Sequence, residues 1–181
     1  MEKKVLNNID TEHFVYLKVG DHNHEPLKAI IDRKVKEAEA CGFSLWAFTP
    51  QRKSLERRLA IINECSASQN SEGYVYALFF DGGDDPKSDG TQMHHYESNG
   101  ETLPIPEEIY VTASGKNGDY ALVVDQYFEV DGDNTIYGGE YDKIPSFGFE
   151  ILHKTGTEKT RAKKVAYIAR LKAPFIVKVL P

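Results

Sequence analysis

Apolar and polar positions alternate along the first eighty residues in a way that fixes most of the secondary structure expected there. Residues 13–19 (His-Phe-Val-Tyr-Leu-Lys-Val) mix aromatic and β-branched side chains and stop at Gly20-Asp21, which predicts a strand ending in a turn. Leu27, Ile30, Ile31, Val35 and Ala38 then recur at helical spacing. Asn23 or Glu25 is the expected cap of that helix, Pro26 suits its first turn, and Gly42 ends it. The run Phe43-Ser-Leu-Trp-Ala-Phe-Thr-Pro50 is short and apolar, so it reads as a buried strand followed by a tight basic loop. A second helix opens at Ser54, carrying Leu55, Leu59, Ile62 and Cys65 as a narrow apolar stripe. Residues 74–80 are an unbroken aromatic and aliphatic run, the pattern of a central strand buried on both faces.

Beyond residue 80 the pattern changes. From 81 to 106 the chain turns to Gly, Asp, Ser, Pro and His, which predicts a long functional loop. Strands are expected at 108–112 and 120–130, joined by a hairpin turn at 115–118, and again at 147–152, 165–171 and 175–180. Pro174 belongs at the start of the last of these, where its missing N–H does least harm. The order β-α-β-α-β followed by strands implies an α+β domain spanning 1–181, with a curled or barrel-like sheet of about six or seven strands and two or three helices packed on it. No Gly-rich loop opens either helix, which excludes a phosphate loop or a dinucleotide fingerprint.

Composition narrows the class. The chain has 181 residues, of which 40% are hydrophobic and 28% charged, and no apolar run reaches the roughly 20 residues of a membrane helix. Residues 1–8 lack the apolar core of a secretory signal. Cys41 and Cys65 are too few for a disulfide framework and follow apolar helical stripes, so a reduced cytoplasmic setting is expected. A net charge of -6 argues against a protein that holds nucleic acid by its overall field. Local charge differs, since Arg52, Lys53, Arg57 and Arg58 cluster after the Trp46 strand and a second basic group spans 154–164.

Two constellations compete for the chemistry. His22-Asn-His24-Glu25, with Asp84, Asp85, His94 and His95, offers imidazoles and carboxylates to a divalent metal and suggests a metal-dependent hydrolase. Alternate residues bring two imidazoles to one face only in an extended strand, and these stand in a turn entering a helix, so no metal or other cofactor is expected. No Gly-x-Ser-x-Gly elbow is present. A protein-interaction module using the acidic 81–106 loop as its docking surface is a third reading.

The stretches Phe14-Val-Tyr-Leu-Lys18, Asn23-His24-Glu25, Leu45-Trp46-Ala-Phe-Thr-Pro50, the helix from Ser54-Leu55 and Val75-Tyr-Ala-Leu-Phe-Phe80 resemble, in order and residue type, the first half of the YTH domain, within the PUA-like group that includes EVE domains. The resemblance covers 14–80. It implies an open PUA-like β-barrel that takes a modified, typically methylated, base of DNA or RNA into an aromatic cage without catalysis, alone or beside a nuclease or restriction partner. Trp46 would then be one wall, with Thr49 and Lys18 next to the pocket. Asn23 is a candidate to read the base edge, since an amide both donates and accepts. Tyr137, Tyr141 and Phe147 are candidates for the other walls, and Arg52, Lys53, Arg57 and Arg58 for the nucleic-acid backbone.

Overall fold

The computed structural model describes residues 1–48, 55–67, 73–85, 90–114, 119–145, 149–154 and 161–181. Its strands are β1 (Lys3–Val5), β2 (His13–His22), β3 (Ser44–Phe48), β4 (Val75–Asp85), β5 (Thr91–Gln92), β6 (His95–Ser98), β7 (Glu101–Pro104), β8 (Thr112–Ala113), β9 (Tyr120–Asp131), β10 (Thr135–Ile136), β11 (Phe149–His153) and β12 (Lys163–Leu180). Two α-helices are described, α1 (Leu27–Cys41) and α2 (Leu55–Ala67). The architecture is α+β.

Six strands run side by side in the order β3-β9-β12-β4-β2-β11. β2 and β4 are parallel, whereas the other neighbours on this path are antiparallel. The two ends of the path approach each other, because Phe48 at the end of β3 stacks on Phe149 at the start of β11 with ring centroids 5.3 Å apart. A flat sheet would hold these strands at opposite edges, with four strands between them. The sheet is therefore curled, and among the described residues no backbone pairing joins β3 to β11, so the curl stays open at that seam.

Side-chain alternation along the curled strands makes three cores. The concave face carries Val15, Leu17, Val19, Trp46, Ala77, Phe79, Leu122 and Phe149, covered by Leu27, Ile30 and Ile31 of α1 and Ile61, Ile62 and Cys65 of α2. The convex side of β2, β4 and β12 is covered by Leu6, Ile9, Ile136, Tyr141 and Ile144. A third core sets Leu45, Val123 and Val177 against Met93, Ile105, Ile109 and Val111. With both faces covered, Val75 to Phe80 are all buried, as their unbroken apolar run predicts.

Several expectations need correcting. The cap of α1 comes from neither Asn23 nor Glu25: Asp21 Oδ1 accepts the Leu27 N–H at 2.8 Å, and Asn23 sits in the preceding turn at a φ of 49°. Gly42 does end the helix, at a φ of 81°. The described parts of 81–106 are largely strand: 81–85 extend β4, and 95–104 form the β6–β7 hairpin around Asn99-Gly100. Both turn residues have positive φ, 52° and 79°, the conformation for which Asn-Gly is selected in two-residue hairpins. The turn expected at 115–118 lies outside the described residues, and the strands flanking it do not pair with each other: β8 pairs with β5, and β9 with β3 and β12. The two last strands are one, β12, whose register slips between Leu171 and Ile176 around the cis Ala173–Pro174 bond. Pro174 therefore stands at a bend inside a strand, where the ladder is already interrupted.

Candidate functional site

Trp46 lies on the concave face of β3 and is only 9% exposed. Its indole packs against Phe79 at 5.1 Å and Tyr127 at 6.5 Å between centroids. Tyr127 is anchored in turn, its hydroxyl 2.9 Å from Ser44 Oγ, and burial pushes its pKa well above the ordinary phenol value. In this packing the tryptophan is a core side chain, not an exposed wall.

Two residues along the same face, Phe48 reaches the seam. There Arg58 of α2 is 1% exposed, its guanidinium 5.0 Å from the Phe48 ring centroid and 5.4 Å from that of Tyr120. Desolvation lowers its pKa, an effect that Tyr120 partly offsets. Placing Arg58 among phosphate contacts on a basic surface is thereby corrected: it points from α2 into the aromatic seam and away from solvent. Arg57, its neighbour, is exposed. Arg52 and Lys53 lie outside the described residues, as do Thr49 and Phe147.

The remaining candidates are scattered. Lys18 is exposed on the convex face, with its side chain across Gly82 so closely that a Cβ there would fall 2.3 Å from Lys18 Cε. Asn23 is exposed at the far end of β2. Tyr141 is 3% exposed in the convex-side core, and Tyr137 is 47% exposed. None of the four belongs to the core cluster that holds Trp46. Tyr141 instead lines a cleft of about 520 Å³ with Asn7, Asp10, Thr11, Glu12 and Glu140.

The metal set His22, His24 and Glu25 is not assembled. Glu25 ion-pairs with Arg33, His22 Nε2 lies 3.4 Å from Thr112 Oγ1, and His24 is held in the turn at a φ of 64°. Among the described residues a different group comes together: His13, Glu64 and His153 each offer a ligand atom within 4.8 Å of the others. Sequence reasoning missed it because its members stand on β2, α2 and β11, far apart in the chain. The available signal was weak, two strands each with a histidine at one end.

α1 also carries a buried ion pair. Lys34 Nζ lies 3.3 Å from Glu37 Oε2 and donates to the Tyr110 carbonyl at 2.6 Å, while the Tyr110 N–H donates to Glu37 Oε1 at 2.9 Å. Desolvation lowers the Lys34 pKa to about 8 against the pull of Glu37. The pair fastens the segment after β7 onto the helix.

Compared with known proteins, the chain matches no family model, no curated sequence and no solved structure. No described helix is long and apolar enough to cross a membrane.

Proposed function

We propose that this chain is a non-catalytic binder of nucleic acid carrying a modified base, and that the base is taken at the open seam between β3 and β11. The observation that carries the reading is Arg58 stacked between Phe48 and Tyr120 where the two sheet edges meet. A base presents a flat π-face, which aromatic rings and guanidinium planes accept, and a buried guanidinium adds donors for the base edge. Stacking of this kind tolerates a net charge of -6, because it does not draw on the long-range field. A curled, unclosed sheet with two helices on its concave face suits the open barrel implied by the resemblance to YTH and EVE domains. Trp46, two residues deeper on the same face as Phe48, forms the floor beneath the seam, so its emission reports on occupation.

The experiment is calorimetric titration of the chain with short single-stranded oligonucleotides, methylated and unmethylated at one base, while following Trp46 fluorescence. A preference for the methylated strand is expected, with a shift in emission. Phe48→Leu and Arg58→Lys should each lower that preference by roughly 5- to 150-fold, the equivalent of one stacking contact worth about 1–3 kcal/mol. Equal affinity for both strands, or a preference unchanged in both variants, overturns the reading.

A further inference from the structure

We propose that His13, His153 and Glu64 form a binding site for one divalent transition-metal ion of the zinc class, with water in the fourth position and Asp142 beside His153. His13 and His153 are register partners on β2 and β11, and their rings stand edge to face with centroids 4.5 Å apart. Both belong to the concave face by the alternation that places Val15 and Phe149 there. Glu64 comes from α2 and Asp142 from the connection before β11. His153 Nε2 lies 3.9 Å from Glu64 Oε1 and 3.9 Å from Asp142 Oδ2. Asp142 is held in place by backbone bonds in both directions: its Oδ1 accepts the His153 N–H at 3.2 Å and its own N–H donates to the His153 carbonyl at 3.0 Å.

The spacing decides what this group can do. At 3.9 Å the imidazole and the carboxylates are too far apart for hydrogen bonds, so they do not satisfy one another directly. Donor atoms around a tetrahedral zinc at about 2.0–2.1 Å stand roughly 3.3 Å apart, and those of His13, Glu64 and His153 lie within 4.8 Å of one another, so binding takes an inward shift of up to about 1.5 Å. Glu64, whose side chain is 51% exposed, is free to make it. His13 adds an independent sign, because its Nδ1 is buried and has no hydrogen-bond partner. A buried ring nitrogen left without a partner costs stability, and a metal ion is one partner that would remove the cost.

Two imidazoles and one carboxylate suit a borderline divalent ion better than a thiophilic one or an all-oxygen calcium site. Solvent reaches the group from the Glu64 side, which leaves room for a water ligand. The residues adjoining the two histidines, Glu12 and Lys154, line the cleft of about 520 Å³, whose Asp10, Glu12 and Glu140 make its rim acidic. Such a rim draws cations toward the ligands. The site lies at the opposite end of β11 from Phe149, so it stands or falls apart from the seam.

The test uses the tag-free full chain, stripped with EDTA and dialysed. Titration with ZnCl₂ should give one ion per chain at micromolar affinity or better, raise the thermal unfolding midpoint, and give visible d–d absorption when Co²⁺ replaces zinc. Glu64→Gln and His153→Gln should each weaken binding by roughly tenfold or more, and the double variant should not bind. Glu64 is half exposed, so Glu64→Gln leaves the apo midpoint unchanged and folding does not confound the result. The His22→Ala/His24→Ala variant should bind as the parent does. Zinc held no tighter than millimolar, or held equally by the Glu64→Gln/His153→Gln variant, overturns the proposal.

Discussion

β11 is five residues long, and its two ends are built from different chemistry on the same face. Phe149 stacks on Phe48 inside the apolar core, whereas His153 stands edge to face with His13 between two carboxylates. Around Phe149 and Trp46 apolar rings fill the curl, the Arg58 guanidinium lies over Phe48, and the neighbouring hydroxyls of Ser44 and Tyr127 bond to each other. Around His153 two carboxylates approach the imidazole at 3.9 Å, and His13 Nδ1 is buried without a partner. The first region lowers the free energy of the fold. In the second, the buried His13 nitrogen carries a cost, and a cost that persists in a fold points to another use.

The largest effect is expected from cutting into the apolar half. Trp46→Ala removes an indole packed on Phe79 and Tyr127, and the cavity should cost about 3–5 kcal/mol in urea unfolding, with Trp46→Phe retaining part of it. A loss under about 1 kcal/mol would mean that the indole is not built into the core, and the contrast between the two halves would collapse.

A second cut removes one member of a buried ion pair. Glu37→Gln keeps an acceptor for the Tyr110 N–H but leaves Lys34 without its counter-charge, and about 3 kcal/mol should be lost at pH 7. The pH dependence has a definite sign. Folded Lys34 gives up its proton near pH 8, whereas the unfolded side chain keeps it to about 10.4, so the unfolded state binds more protons in between. The Lys34 contribution therefore improves as pH rises from 8 to 10, by roughly 3 kcal/mol in total. Lys34→Met should flatten that rise when unfolding is measured at several pH values. Parallel curves for parent and variant would place the lysine in a more hydrated setting.

How much of this was legible follows the range of each signal. α1, α2 and β2 to β4 could be read because periodicity and end signals are local: Gly42 in the left-handed conformation ends α1, and an unbroken run marks a strand buried on both faces. The β6–β7 hairpin was missed although Asn99-Gly100 announces it, because the polar composition of 81–106 outweighed a two-residue turn signal. Trp46 could be recognised as central, but not whether its faces would be open, since Phe79 and Tyr127 come from strands 33 and 81 residues away. Arg58 looked like one of four surface cations. Its burial follows from the rotation of α2 against the seam, where Ile61, Ile62 and Cys65 also face inward. The histidine pair needed the β2–β11 register, which no local pattern encodes.

The smallest expected effect bears on the second half of the contrast, and its sign matters more than its size. His13→Phe keeps an aromatic ring against His153 but deletes the buried nitrogen that lacks a partner. If that nitrogen is an unpaid cost in the metal-free chain, removing it should stabilise the fold by about 0.5–1 kcal/mol in EDTA, measured by urea unfolding. The gain should vanish or reverse when zinc is added, because a ligand bound only by the folded parent stabilises the parent alone. Destabilisation in EDTA would mean that the ring nitrogen is already satisfied, so that the polar end of β11 is held together as ordinarily as the apolar end.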